Sequence, residues 1–230
     1  MPKLQDRVEV AYPQQTHLAV ALLLDVSGSM NEGGKIAQLN EALVMFKQAL
    51  SDPSEVTSRA VELAVVTFGL GVNTIQAFAP LEQWEVRPLS ADGYTPMGEA
   101  ILRGIELVRQ RRLDYEKSGV DKYRPWIYLI TDGQATDMEP GTERWTSVTK
   151  AIQAGLANRD FVFYAVGVAP CEMQVLKDLV GTPPAILKPP FDFKAMFQWI
   201  VASARATSAS SPGDVVKTEP IDAWGQIYTD

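Results

Sequence analysis

The sequence predicts an α/β fold: a doubly wound, mostly parallel six-stranded sheet with one antiparallel edge strand and helices on both faces. Three observations point there. Apolar runs such as "HLAVALLLD" (17–25) and "PWIYLITDG" (125–133) lack polar alternation, as strands buried on both faces do. Segments with helical spacing separate most of these runs. One pair of strands is joined by a link too short for a parallel crossover.

The elements follow in chain order. After the 17–25 strand, Ile36, Leu39, Leu43, Phe46 and Leu50 recur on one face of a helix. The next strand, "VELAVVTFG" (61–69), reaches a β-like stretch around Asn73 to Phe78 within a few residues, so these two form a hairpin and the latter is the antiparallel edge. Met97, Ile101, Gly104, Ile105 and Val108 make a second helical face ahead of 125–133. Thr142 stands as N-cap of a helix carrying Trp145, Val148, Ile152 and Leu156. "DFVFYAVGVAP" (160–170) is a further strand, and Cys171 opens the helix after it. There the helix dipole lowers a thiol's pKa unless apolar burial prevails. "GTPPAILKPP" (181–190) reads as a short edge strand guarded by prolines, and Phe193, Phe197, Ile200 and Ala204 as the last helix.

One domain, 1–207, accounts for this order. Residues 208–230 begin as a small polar linker and carry Ile221, Trp224, Ile227 and Tyr228. That apolar set marks either a frayed end or a segment that docks on the body or on a partner.

Composition narrows the function. The 230 residues are 46% hydrophobic and 21% charged, the balance of a globular domain, and the formal net charge is −7. An acidic chain has no electrostatic reason to bind nucleic acid or anionic membrane. Cys171 is the single cysteine, which rules out an internal disulfide and fits a reducing compartment. No apolar run approaches the roughly 20 residues of a bilayer span, and "MPKLQDRVEVAYPQQ" lacks a signal peptide's apolar core. The expected location is the cytoplasm.

The chemistry gathers where strands end. "LLLDVSGSM" closes an aliphatic run with Asp25, Ser27 and Ser29, spaced two apart, and Gly28 is expected to give the turn its freedom. Asp132 ends the 125–133 strand in the same way, and Thr95 lies in the loop before the Met97 helix. Ligand sites of open parallel sheets collect at the carboxyl edge, where strand order reverses. If these loops converge, two carboxylates and three hydroxyls meet. Such all-oxygen donors suit Mg²⁺, with Ca²⁺ or Mn²⁺ as alternatives, and two acids balance a dication.

This constellation resembles the metal-ion-dependent adhesion site of von Willebrand factor type A domains. Asp25-Val26-Ser27-Gly28-Ser29 matches the family's D-x-S-x-S, Thr95 its distal threonine and Asp132-Gly133 its late aspartate. The resemblance covers about residues 16–205 and implies the strand order 3-2-1-4-5-6. It also implies a non-catalytic binding module in which Asp25, Ser27, Ser29, Thr95 and Asp132 hold a cation that takes a partner's Asp or Glu. Gly93-Tyr94 departs from the family's usual Gly-Gly, and Tyr94 is expected to stiffen the loop or overhang the metal. Within the family the chain looks most like the bacterial intracellular branch that includes the TerY proteins of tellurite-resistance clusters. That likeness implies a stress-response or signalling assembly with a Ser/Thr kinase and a PP2C-type phosphatase, in which the chain is a scaffold or a substrate. Thr207, Ser208, Ser210, Ser211 and Thr218 would be the accessible acceptors, although a serine-rich tail is more often a plain linker.

Catalysis is the rival class, because a carboxylate-held Mg²⁺ also serves phosphoesterases. Asp25-Val26-Ser27 lacks the second acid of a D-x-D site, and neither G-x-S-x-G nor a P-loop occurs. His17 is the single histidine, at the far end of the first strand, and reads as structural or surface. Asp137 and Glu139 cap the next helix or face water rather than rim the site.

Overall fold

The computed structural model describes residues 10–51, 56–212, 220–221 and 224–228. The uninterrupted apolar runs become fully buried strands. β1 (Leu18–Asp25) and β4 (Trp126–Thr131) are buried at every position, as is β2 (Val61–Phe68). β3 (Val72–Pro80) alternates between half-buried and exposed residues over most of its length, as an edge strand covered on one face does. β5 (Val162–Val168), β6 (Ala185–Leu187) and β7 (Gln226–Ile227) complete a sheet ordered β3-β2-β1-β4-β5-β6-β7.

β2 runs antiparallel to β3, while β2, β1, β4, β5 and β6 are mutually parallel. Among the described residues the sheet has seven strands rather than six. The addition, β7, pairs antiparallel with β6 through Ile227 opposite Ala185, so both edges are antiparallel. Two residues are too few to show a period in sequence, which is why this strand was not anticipated. Beside it Trp224 is buried and lies 5.8 Å from the ring of Trp199.

Helices cover both faces. α1 (Lys35–Leu50) and α6 (Phe193–Ser208) pack Leu39, Leu43, Phe46, Phe197 and Ile200 against Leu18, Leu22 and Leu24 of β1. The other face of β1, through Ala21 and Leu23, meets α3 (Met97–Ser118), with α4 (Glu143–Ala157) and α5 (Met173–Val180) alongside. Gly104 is what lets α3 lie this close, since a Cβ there would stand 2.7 Å from Leu23 Cδ2. A one-turn helix, α2 (Val56–Ala60), precedes β2.

Thr142 caps α4 by accepting from Trp145 N–H at 3.2 Å. His17 is fully buried, with Nδ1 3.6 Å from Glu62 Oε1 and its ring stacked on Tyr115. Glu62, also fully buried, accepts from both Arg111 and Tyr115 at 2.5 Å. This charged knot sits at the amino edge of the sheet, opposite the site.

Local expectations are met in part. Cys171 precedes α5 by two residues rather than opening it, and it is the partly buried cysteine that the sequence favoured: burial, helped by the Asp132, Asp25 and Glu172 charges, pushes its thiol up to about 12. Thr207 is buried on the inner face of α6, so it is not an accessible phosphoacceptor; Thr218 lies outside the described residues. Asp137 reaches back to the preceding helix: its carboxylate accepts from Gly98 and Glu99 N–H at 3.0 and 2.9 Å, filling the open amino end of α3. Among the described residues no helix is long and apolar enough to cross a membrane.

Candidate metal centre

Strand order reverses between β1 and β4, so the loops after both strands open onto one crevice. Asp25 closes β1. Its Oδ1 accepts from Ser27 N–H at 2.8 Å and its Oδ2 from the Thr131 hydroxyl at 2.5 Å. Burial raises the Asp25 pKa; the bonds from Ser27 and Thr131 pull it back, and the Asp132 charge pushes it further up.

The chain then turns sharply. Met30 N–H donates to Ser27 C=O at 3.0 Å, opening a tight 3₁₀ stretch, Gly28–Gly34, that presents Ser27 and Ser29 together. Their hydroxyl oxygens are 3.0 Å apart, and Ser29 donates to Asp132 Oδ1 at 2.7 Å. Gly28 is not in the left-handed region; Gly33, Gly34 and Gly93 are, at φ 62°, 74° and 84°. The turn's freedom therefore lies after the serines, in the entry to α1, and not at Gly28.

Thr95 is brought in by a loop stitched at both ends. Asp92 N–H donates to Val26 C=O at 2.8 Å, Gly28 N–H to Gly93 C=O at 3.2 Å, and Thr136 N–H to Thr95 C=O at 2.9 Å. Gly93 takes the positive φ, and a Cβ there would meet Leu70 N at 2.6 Å. Tyr94 is 74% exposed, so its ring faces solvent.

Gly133 shows how closely the five side chains converge. A methyl group on its Cα would stand 3.3 Å from Thr95 Oγ1, 3.8 Å from Ser29 Oγ and 3.9 Å from Asp25 Oδ2. All five residues predicted from the sequence thus border one small space, and Asp25, Ser27, Thr95 and Asp132 are buried. Among the described residues no group of three or more His, Cys, Asp or Glu assembles, so this donor set is two carboxylates and three hydroxyls. Its chemistry fits a hard divalent cation.

Two neighbours escaped the sequence reading. Thr131 fixes Asp25 from the adjacent strand. Lys35, 2% exposed, ion-pairs with Asp132 Oδ2 and donates to Ser29 C=O at 3.2 Å. Its signal was a cation at the first residue of an amphipathic helix, where the helix dipole disfavours positive charge. With Lys35 counted, Asp25, Asp132 and Lys35 sum to one negative charge, and the two-acid balance drawn from sequence is corrected accordingly.

Residues 19–193 match the family model of the von Willebrand factor type A domain. No curated protein matches the chain. Among solved structures, the pilus adhesin SpaC of Lactobacillus rhamnosus GG superposes with TM-score 0.63 at 11% identity, covering 84% of this chain and 31% of that one. The vWF domain of the type V pili tip protein Mfa5 from Porphyromonas gingivalis gives TM-score 0.59 at 12% identity, with 88% and 99% covered. Manganese-loaded TRAP of Plasmodium vivax gives 0.53 at 17% identity, with 75% and 65% covered. The chain spans less than two thirds of SpaC and of TRAP; at these identities the likeness concerns the fold. With the family model spanning most of the sheet and its helices, the chain belongs to the von Willebrand factor type A domain family.

Proposed function

We propose that this chain is a divalent-cation-dependent protein-binding module whose adhesive element is the Asp25, Ser27, Ser29, Thr95 and Asp132 cluster. The observation that carries the reading is the continuous oxygen contact from Ser27 through Ser29 to Asp132, closed by Asp25 and Thr95 around Gly133. A bound Mg²⁺, or Mn²⁺ or Ca²⁺ in its place, would supply a Lewis-acidic position open to an outside oxygen.

The chain's own residues favour an anionic visitor. Ser27, Ser29 and Thr95 are neutral donors, and Lys35 cancels the charge of Asp132. The pocket therefore under-neutralises a dication, and a partner's Asp or Glu carboxylate completes the balance. Burial of Asp25 and Asp132 keeps that attraction from being screened as a surface pair would be.

The narrower placement beside the TerY-like bacterial branch is part of the same proposal. It rests on "LLLDVSGSM" and on "YLITDGQATD" followed by the Trp145 helix. With it go a cytoplasmic location, a stress-response assembly, and a neighbouring Ser/Thr kinase and PP2C-type phosphatase as partners. The module is read as non-catalytic because Asp25-Val26-Ser27 lacks the second acid of a D-x-D site, and the other acid of the crevice, Asp132, is held by Lys35 and Ser29.

The test is capture of binding partners on immobilised protein with Mg²⁺, with EDTA, and with Asp25→Ala and Thr95→Ala. Partners should be retained in Mg²⁺ alone and lost in the other three. Retention through EDTA and both substitutions would refute the reading.

A further inference from the structure

A second candidate site lies on the α6 side of the sheet, at its β5–β6 edge, away from the oxygen cluster. β6 pairs with β5 only from Val166 to Val168. Among the described residues no strand continues that pairing alongside Val162–Ala165, and a cavity of about 350 Å³ opens in the gap. That volume is within the range of small-molecule pockets.

Its walls are aromatic. Tyr128 and Tyr164 stack at 4.7 Å with planes 10° apart, Trp199 meets Tyr164 edge-on at 5.9 Å, and Trp224 folds over Trp199. Among the described residues, three polar atoms of the lining are buried without a hydrogen-bond partner: Tyr128 OH, Arg124 Nε and Trp224 Nε1. Tyr128 is 2% exposed and Trp224 7%. All three are hydrogen-bond donors in these environments, and an unpaired buried donor costs roughly 1–3 kcal/mol. Evolution seldom leaves three in one cavity without something to accept from them.

We propose that this cavity binds a flat aromatic carboxylate, its ring extending the Tyr128–Tyr164 stack and its oxygens facing Arg124 and the Tyr128 hydroxyl. The chemistry selects this class. A cation is disfavoured because the Arg124 guanidinium lies in the wall, so this is not a cage for ammonium groups despite its aromatic lining. A phosphate dianion is too costly to desolvate against one guanidinium. A ring without an acceptor leaves Arg124 Nε and the Tyr128 hydroxyl unserved, whereas Arg124 Nη2 already donates to Leu156 C=O at 3.2 Å and the Asp160 charge lies nearby. Burial and the nearby Arg159 charge lower the Arg124 pKa, with Tyr164 and Asp160 acting against them. Burial holds the Tyr128 phenol protonated, and hence a donor.

The site stands apart from the metal proposal, so the experiment separates the two. The full chain is titrated with 1-naphthoate, followed by tryptophan fluorescence and by the indole N–H signals in ¹H–¹⁵N spectra, and the titration is repeated with 1-naphthylammonium. Saturable binding of naphthoate is expected, with a Trp224 indole shift, unchanged by EDTA or by Asp25→Ala. Arg124→Gln and Tyr128→Phe should each weaken it about tenfold while leaving the circular dichroism spectrum intact. No saturation at millimolar naphthoate, equal binding by both variants, or equal binding of the ammonium probe would each overturn the proposal.

Discussion

Lys35 and Asp132, 97 positions apart in sequence, form a direct ion pair with both side chains buried at the carboxyl edge of the sheet. The pair places a fixed positive charge beside the oxygen cluster. In the proposed reading, it would leave the crevice one charge short of neutralising a dication and so favour an anionic partner.

Replacing Lys35 by Met separates these effects. Without its ammonium, Asp132 is left buried and uncompensated, so the metal-free protein should lose about 3–5 kcal/mol. The same variant should bind Mg²⁺ more tightly, by about tenfold, and captured partners less tightly. Denaturant melts in EDTA and calorimetric Mg²⁺ titrations check both signs.

Asp25 sets a pH dependence. Its pKa is raised in the folded, metal-free chain, chiefly by burial, so folding favours its protonated form relative to the unfolded chain. The stability associated with that proton is complete below the ordinary carboxylate range and is lost as pH rises through the raised value. Mg²⁺ needs the ionised form and should displace the proton. The melting-temperature gain from Mg²⁺ is therefore expected to grow from pH 4 to pH 8, with proton release on binding in the acid part of that range. A gain that shrinks with rising pH would contradict the assignment.

At the opposite edge, Arg111→Ala strips Glu62 of its bidentate partner inside the core. A loss of about 3–5 kcal/mol is expected in urea unfolding. Mg²⁺ affinity measured under native conditions should stay within about twofold of wild type, since distant sites with no shared partners behave independently.

Gly104→Ala tests the packing of α3 on β1. The added Cβ meets the Leu23 side chain, and overpacking of this kind costs about 1–3 kcal/mol. A shift of the thermal midpoint downward is the expected result, despite alanine's better helix propensity.

Much of this architecture was legible in the residues because both faces of the sheet are covered. That turns β1, β2 and β4 into unbroken apolar runs, and it leaves Asp25 and Asp132 conspicuous where the runs stop. The helices announced themselves through Leu39, Leu43 and Phe46, or Val148 and Ile152. What stayed hidden depends on contacts across long separations. β7 is two residues long and owes its existence to β6; Lys35 and Thr131 enter the site only through tertiary pairing; and Asp137 caps a helix that precedes it. Gly28 looked like the hinge because of its place in the motif, but backbone freedom was needed at Gly33, Gly34 and Gly93 instead.

The most direct measurement is Mg²⁺ binding by isothermal titration calorimetry to the wild-type chain, Asp25→Ala and Thr95→Ala, each checked for an unchanged circular dichroism spectrum. One Mg²⁺ per chain, lost in both variants, is the result expected if the loops carrying Asp25, Thr95 and Asp132 close on one cation. Binding that survives Thr95→Ala undiminished, or its absence from the wild-type chain, would contradict it.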